Sequence, residues 1–284
     1  MLDDDALRAL LDRYFAYSGQ DGAVDTDLYH EDAVLEFPQS EERFEGLENF
    51  VAWRRTYPSD VAYRIRRIAR RGDLVVIELT ISYDGGPWMF GVSIMDFRGA
   101  KVAREHIYVM EGWEPPEWRA PWRAALPEVD DFAGFSSVAA FDGEPGAGDL
   151  LDDADMRAAL HRHWDYSGKD EDVAGEIYHD DAILEFPQSG ERFEGLENFR
   201  EWRRIYPAAI TFRIRRINRR DDLVVTEYAI SYNDGPWMFC VNVMEFRGAK
   251  VAREHIYIME GWEAPEWRGA WRAERPEVDD AGGI

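Results

Sequence analysis

The sequence predicts an α+β fold, present twice in one chain as tandem domains. Three observations carry that expectation. Residues Tyr29–Pro58 (YHEDAVLEFPQSEERFEGLENFVAWRRTYP) return as Tyr178–Pro207 (YHDDAILEFPQSGERFEGLENFREWRRIYP), an offset of 149 that holds from Leu2/Leu151 to Trp122/Trp271. Roughly seven positions in ten are identical between Tyr29–Arg123 and its counterpart, the mark of a duplicated module. Within each module, helical periodicity comes first and strands joined by tight turns follow, the order of an α+β domain. The organisation read from this is copy one over 1–126, an acidic linker containing Gly and Ser over 127–149, copy two over 150–275 and a tail over 276–284. With 284 residues and 45% hydrophobic side chains, each copy has enough apolar material for its own core.

Along copy one, Asp3–Asp5 offer an N-cap and a favourable charge for a helix dipole. Leu7, Leu10, Leu11, Tyr14 and Phe15 follow at helical spacing, and in copy two that face reads Met156, Ala159, Leu160, His163 and Trp164. A short second helix is expected over Val24–Tyr29. A strand over Ala33–Phe37 is stopped by Pro38, and a helix over Gly46–Tyr57 turns Leu47, Phe50 and Trp53 inward. Strands are expected over Val61–Arg70, Leu74–Tyr83 and Trp88–Arg98. The turns Arg71-Gly72-Asp73 and Asp84-Gly85-Gly86 join them as antiparallel hairpins. A last strand, Lys101–Glu111, follows the turn Arg98-Gly99-Ala100, and the Trp- and Pro-rich tail GWEPPEWRAPWRA reads as a lid.

A formal net charge of −24 and a pI near 4.6 make nucleic acid and anionic membranes poor partners. The run Arg64–Arg71 (RIRRIARR) alternates Arg with Ile and Ala, and reads as a salt-bridged strand face. Cys240 is the only cysteine, which suits a reducing compartment. The start MLDDDALRAL has neither the basic segment nor the apolar stretch of a secretory signal. No apolar run reaches the length of about 18 residues that a membrane span needs. A soluble, cytoplasmic protein is expected. The glycines of GEPGAGD lack the strand and the Lys-Ser/Thr of a phosphate loop.

The order helix, HEDAVLEFP strand, GLENF helix, then ELTISYDG, FGVSIMDFRGAKV and REHIYVMEGWEPPEWRAPW resembles the SnoaL-like branch of the nuclear transport factor 2-like superfamily. That superfamily includes polyketide cyclases, ketosteroid isomerase, scytalone dehydratase and limonene epoxide hydrolase. The resemblance spans nearly the whole of both copies. It implies two cone-shaped domains, each with N-terminal helices packed on a curved antiparallel sheet around a small-molecule pocket. It also implies that the copies pair with each other through their sheets as an intramolecular pseudo-dimer, and it is compatible with further homo-oligomerisation. The fold hosts many chemistries, so the resemblance does not fix a reaction. Against ketosteroid isomerase, the oxyanion tyrosine falls on Tyr14, in the same Arg-Tyr pair. The general-base aspartate falls on Phe37 and Phe186, and the second oxyanion acid falls near Ser93 and Asn242. The missing base argues against steroid isomerisation.

Hairpin parity says which side chains reach such a pocket: Val75, Ile77, Leu79 and Ile81 with Met89, Gly91, Ser93 and Met95, and on the last strand Glu105 and Glu254. A carboxylate in an apolar enclosure has its pKa raised toward the range of general acid–base work. An ion pair with a neighbouring Arg is the plain alternative. Tyr14 and His163 are the other candidate catalytic groups. The candidate ligand pocket comprises Phe37, Trp53, Ile77, Leu79, Met89 and Ser93 in copy one. In copy two it comprises Phe186, Trp202, Thr226, Tyr228, Cys240 and Asn242. Glu36 and Glu185 read as outward and structural, and His106 and His255 as residues of the interface between copies. His30 and His179, beside Asp32 and Asp181, read as strand caps, since HED lacks the spacing and third ligand of a metal site. His161 and His163 stand about 200° apart on a helix and cannot chelate one ion. No metal and no organic cofactor is implied, and neither a Ser-His-Asp order nor a dinucleotide fingerprint occurs. Trp53, Trp88, Trp113, Trp118 and Trp122 read as core and lid, with room for a ligand to stack on some of them.

The copies differ on one face. At inward positions Ile77 becomes Thr226, Leu79 becomes Tyr228, Gly91 becomes Cys240 and Ser93 becomes Asn242, and Tyr14 becomes His163. Outward positions of the same strands are mostly unchanged. The expected function is a small-molecule pocket protein: a cofactor-independent cyclase, isomerase or dehydratase moving a proton on a largely apolar metabolite, with copy one as the principal site. The alternative is a non-catalytic ligand-binding or scaffold protein of the same fold.

Overall fold

The computed structural model describes residues 2–17, 27–124 and 149–274. Most of the linker expected over 127–149, the start of the helix expected over Val24–Tyr29 and the tail over 276–284 lie outside them. The described residues form two compact units that do not follow the copies to their ends. The first holds the residues up to Glu111 together with those from Gly261, and the second runs from Gly112 to Glu260. The sequence repeat thus marks the duplicated module, whereas each compact unit takes its final segment from the tail of the other copy.

The first unit contains α1 (Asp4–Tyr17), β1 (Tyr29–Phe37), β2 (Glu42–Glu45), α2 (Leu47–Arg55), β3 (Val61–Arg71), β4 (Leu74–Tyr83), β5 (Met89–Arg98) and β6 (Lys101–Met110). A 3-10 helix at Glu266–Trp271 completes it. The second contains α3 (Asp153–Tyr166), α4 (Glu171–Ala174), β7 (Tyr178–Phe186), β8 (Glu191–Glu194) and α5 (Leu196–Arg204). Strands β9 (Ile210–Arg220), β10 (Leu223–Tyr232), β11 (Trp237–Arg247) and β12 (Lys250–Met259) follow, and the 3-10 helix Glu117–Trp122 packs with them. Asp3 caps α1 by accepting from the Ala6 N–H at 2.8 Å, and Asp152 caps α3 by accepting from the Asp155 N–H at 2.9 Å.

Each unit has one six-stranded sheet, ordered β2-β1-β6-β5-β4-β3 and β8-β7-β12-β11-β10-β9. The sheet is mixed rather than antiparallel throughout, because β1 lies parallel to β6 and β7 to β12. The intervening helix and hairpins supply the long crossover that a parallel pair needs. β1 is also longer than expected: it begins at Tyr29, and a register shift separates Tyr29↔Val102 from Val34↔Arg104. That bulge brings the Tyr29 ring into the core with Phe44, Phe50 and Leu35. In α2, Phe50, Trp53 and Arg54 stand at helical spacing and point the same way, over the sheet.

Polar pairs hold the rest of the sheet. On β3, Arg67 reaches the buried Glu78 at 2.7 Å, Arg70 reaches Asp4 at 2.6 Å, and Arg64 lies over the Trp88 ring at 4.0 Å. Arg64, Arg67 and Arg70 of the basic run are thus each engaged, while Arg66 lies over the Phe90 ring at 5.0 Å. His30 Nε2 sits 2.6 Å from the Arg98 carbonyl and ties the start of β1 to the turn after β5. His179 makes the same contact with Arg247 at 2.6 Å. On the sheet face away from Glu105, Glu36 joins His106 Nε2 at 2.5 Å and Arg43 at 3.0 Å. Glu185 repeats this with His255 at 2.6 Å and Arg192 at 3.1 Å.

These two carboxyls contribute to the response to acid. Burial opposes the ionisation of Glu36, but His106 and Arg43 outweigh it and hold the pKa at about 2 against an ordinary 4.5. Glu185 is likewise held at about 2. A folded-state pKa below the unfolded one gives stability that is complete above pH 4.5 and lost as pH falls through about 2. The linkage is worth on the order of 3 kcal/mol per copy. The Glu36→Gln/Glu185→Gln variant is expected to be less stable at pH 7 and to show a reduced slope of stability against pH below 4.5. Urea titrations across that window check it, and an unaltered slope would assign acid sensitivity elsewhere.

Candidate functional site

In the first unit, the helices and sheet enclose a cavity of about 590 Å³. Glu105 reaches it from β6, where the pleat turns every second side chain inward. Its Oε1 accepts from the Ser93 hydroxyl at 2.6 Å and its Oε2 from the Tyr29 phenol at 2.5 Å. The Tyr29 and Tyr14 oxygens are 3.1 Å apart, and Arg54 donates to the Tyr14 oxygen at 2.6 Å. Tyr29 has one proton and gives it to the carboxylate, so the proton between the two phenols belongs to Tyr14. The result is a directed chain from guanidinium through two phenols to a carboxylate. Burial pushes the Glu105 pKa up, against the pull of Arg54, Ser93 and Tyr29. Burial likewise pushes both phenols up, so each stays a neutral donor at pH 7. The Arg54 guanidinium stays charged, its pKa raised by Tyr14, Tyr29 and Glu105 despite burial.

The second unit keeps the plan and alters the parts. Its cavity is smaller, about 350 Å³. Glu254 accepts from the Tyr178 phenol at 2.6 Å and from the Asn242 amide, whose oxygen accepts from the Tyr228 phenol at 2.8 Å. Tyr228 and Asn242 line the cavity, and Glu254 does not reach its wall. The chain on the cation side is looser, with Arg203 3.5 Å from the Tyr178 oxygen and 3.9 Å from Glu254. His163 stands where Tyr14 does, and its Nδ1 lies 2.7 Å from the Ala174 carbonyl. Burial, then Arg203, drives its pKa down to about 3.

The swap of Leu79 and Gly91 for Tyr228 and Cys240 is a paired one. Leu79 and Gly91 are cross-strand neighbours, and a Cβ on Gly91 would stand 2.6 Å from Leu79 Cδ1. Copy two accepts a Cβ at that point only with a different neighbour, and Tyr228 fills the space.

Each cavity is completed by the tail packed in its unit. Trp267 sits 5.4 Å from Tyr57 and 6.0 Å from Trp53, centroid to centroid, and Arg268 lies over Phe37 at 4.6 Å. Arg268 and Arg272 both donate to the buried Glu42, Arg272 at 2.8 Å. In the second unit Trp118 packs on Tyr206 at 5.5 Å, and Arg119 and Arg123 donate to Glu191, each at 2.7 Å. Trp113, Trp118 and Trp122 thus serve the second unit, while Trp88 lies beneath Arg64 away from either cavity.

Of the residues singled out in the sequence, Tyr14, Phe37, Trp53, Leu79, Met89, Ser93 and Glu105 meet around the first cavity. His163, Phe186, Trp202, Tyr228 and Asn242 meet around the second. Ile77, Thr226, Cys240 and Glu254 lie in the packed interior behind the walls, all with no exposed surface. Sequence reasoning missed Tyr29, Arg54, Trp267 and Arg268 with their counterparts. The spacing Phe50, Trp53, Arg54 would have placed the guanidinium on the inward face. Nothing in the sequence assigns a tail to one unit or the other.

Fold and site together define an α+β pocket protein with a buried acid on its last strand. The model of the SnoaL-like domain matches residues 7–105 and again 156–254, more than half of the chain, and the chain belongs to that family. No curated protein matches it. Among solved structures, an NTF-2 like protein of unknown function from Burkholderia xenovorans LB400 is similar at 41% identity, over 43% of this chain and 97% of that one, with a TM-score of 0.41. An LEH-like epoxide hydrolase of M. tuberculosis is similar at 18% identity, over 37% and 83%, with a TM-score of 0.34. A protein with a ketosteroid isomerase-like fold from Catenulispora acidiphila DSM 44928 is similar at 20% identity, over 38% and 86%, with a TM-score of 0.32. Among the described residues no helix is long and apolar enough to cross a membrane, and no cluster of three metal-ligating side chains occurs.

Two expectations follow from the site. Removing a buried carboxylate from beneath two arginines costs about 3 kcal/mol. Glu42→Gln is therefore expected to destabilise the first unit and to shift the emission of Trp267 to the red, with the second unit intact. Glu191→Gln does the converse with Trp118. Denaturation followed by tryptophan emission reads both, and an undisturbed emission in the folded variants would show that the clasp does not hold the tail. The second concerns His163, whose folded pKa of about 3 lies below the ordinary 6.5. An unfolded chain takes up this proton and the folded one does not, so stability falls as pH drops from 6.5 toward 3. Between pH 6.5 and 5 the loss is about 2 kcal/mol. His163→Phe is expected to shrink that loss, measured as the difference in urea midpoint at pH 7 and pH 5.

Proposed function

We propose that the first cavity carries out cofactor-independent proton transfer on a small, largely apolar molecule, as a cyclase, isomerase or dehydratase does. The observation that supports this reading is the hydrogen-bonded chain Arg54–Tyr14–Tyr29–Glu105 at a cavity whose wall also carries Leu79, Ile81, Met89 and Ile107. Glu105 is a carboxylate of raised pKa at the cavity wall, suited to take a proton from carbon and return it. Tyr14, polarised by Arg54, can turn its proton to an oxygen on the ligand and stabilise the negative charge that develops there. The second cavity has neither group at its wall, since Glu254 lies behind Tyr228 and Asn242 and a neutral His163 replaces the phenol. It is read as a subsidiary ligand site. A second reading, a binding protein without turnover, is favoured by one observation: both Glu105 oxygens already accept hydrogen bonds, which lowers their basicity.

Exchange of the α-protons of 2-tetralone in heavy water, followed by NMR, separates the two readings without knowledge of the natural substrate. Exchange above the buffer rate is expected for the wild type, with a drop of at least about 100-fold in Glu105→Gln and little change in Glu254→Gln. The melting temperature of Glu105→Gln is expected to stay close to that of the wild type, because the amide is isosteric. Exchange at the buffer rate in the wild type would favour the binding protein.

A further inference from the structure

The guanidinium of Arg54 has five N–H donors and, among the described residues, uses one, on the Tyr14 oxygen at 2.6 Å. It lies among aromatic rings, 5.5 Å from the centroid of Trp53 and 5.7 Å from those of Tyr14 and Tyr29. Among the described residues no carboxylate stands within ion-pairing distance of it; Glu105 is reached only through the two phenols. Of the other two arginines at this cavity, Arg268 is already committed to Glu42, and Arg55 is the exposed neighbour of Arg54 at the end of α2. Arg54 is thus a permanently charged group at the cavity wall, and among the described residues most of its donors are unspent.

The second cavity is built to the opposite effect. Arg203 has Glu254 at 3.9 Å, and a further carboxylate, Glu171, lines the cavity and helps to keep Arg203 charged. The residue of copy one that matches Glu171 in the sequence repeat is Gly22. A cation whose nearest carboxylate is reached only through intervening phenols offers more to an incoming anion than one with a carboxylate at 3.9 Å.

We infer that the first cavity selects an apolar molecule carrying one carboxylate, bound by Arg54 and the Tyr14 hydroxyl, and that the second cavity does not. Leu79, Ile81, Met89 and Ile107 hold the apolar body, and the planar guanidinium takes the carboxylate in a forked pair. The inference rests on the reading of this cavity as the ligand site, and adds the class of ligand. It requires no chemistry at Glu105. The negative charge of Glu105 opposes the bound anion, so its removal strengthens binding.

Calorimetric titration of the full chain with 2-naphthoate and with its methyl ester tests this. The expected result is one naphthoate per chain, bound about tenfold or more tighter than the ester. Arg54→Met is expected to abolish that preference while leaving the ester affinity within about threefold, and Arg54→Lys to restore part of it. Glu105→Gln is expected to bind naphthoate more tightly than the wild type. Equal affinity for acid and ester, binding of neither, two equal naphthoate sites per chain, or an unaltered preference in Arg54→Met would each overturn the inference. The acid–ester comparison on the wild type decides even if a variant does not fold. Loss of tetralone exchange with naphthoate selectivity intact would sink the proton-transfer reading alone, and the reverse outcome would sink the ligand class alone.

Discussion

A carboxylate shut inside an apolar enclosure must find donors within the protein, and much of each unit is arranged to supply them. Glu105 sits on β6, next to the centre of the sheet, almost fully buried. Ser93 comes from the neighbouring strand and Tyr29 from the parallel strand on the other side. Tyr29 can reach only because β1 bulges after it. Tyr14 and Arg54 then extend the chain of hydrogen bonds to α1 and α2, so the helices are tied to the sheet through the same group. The requirement that stabilises the fold also gathers the polar groups at the cavity, and the donors that make burial tolerable are those that oppose the rise in pKa that burial causes.

The second unit shows how the same requirement can be met with a different outcome. Asn242 replaces Ser93 and still donates to the carboxylate, but its longer side chain brings a second polar atom that draws in Tyr228. Glu254 is satisfied and walled off in one step. The loss of a glycine at position 240 is absorbed because its partner across the strand changed with it. Substitutions confined to the inward face thus convert an open cavity with a reachable acid into a smaller one lined by an amide, a phenol and a neutral imidazole.

A second constraint is the clasp of two arginines on a buried glutamate, Arg268 and Arg272 on Glu42 and Arg119 and Arg123 on Glu191. It fixes an irregular, tryptophan-rich segment that has little secondary structure of its own. Because a buried carboxylate loses far more without its partners than an exposed one, the segment is held by a few polar contacts at its root. Its aromatic side chains can then serve as cavity wall at the mouth.

The sequence by itself determined the duplication, the α+β order, the strands from Leu74 to Tyr83 and from Met89 to Arg98, and the inward parity that puts Ser93 and Glu105 on one face. Those features are local or periodic: a pleat alternates whatever surrounds it, and a turn such as Asp84-Gly85-Gly86 states its own geometry. Parity failed where the chain departs from the pleat. The bulge in β1 hid Tyr29, and Glu254, correctly placed on the inward face, is covered by side chains that no periodicity describes. Arg54 was legible in principle from its helical spacing beside Trp53, yet its place in the chain to Glu105 depended on phenols far from it in the sequence. Which unit each tail completes, which glutamate reaches a cavity and which arginine is left with donors to spare were decided only by tertiary structure. Those are matters of distance between residues far apart in the chain, and the sequence carries no ruler for them.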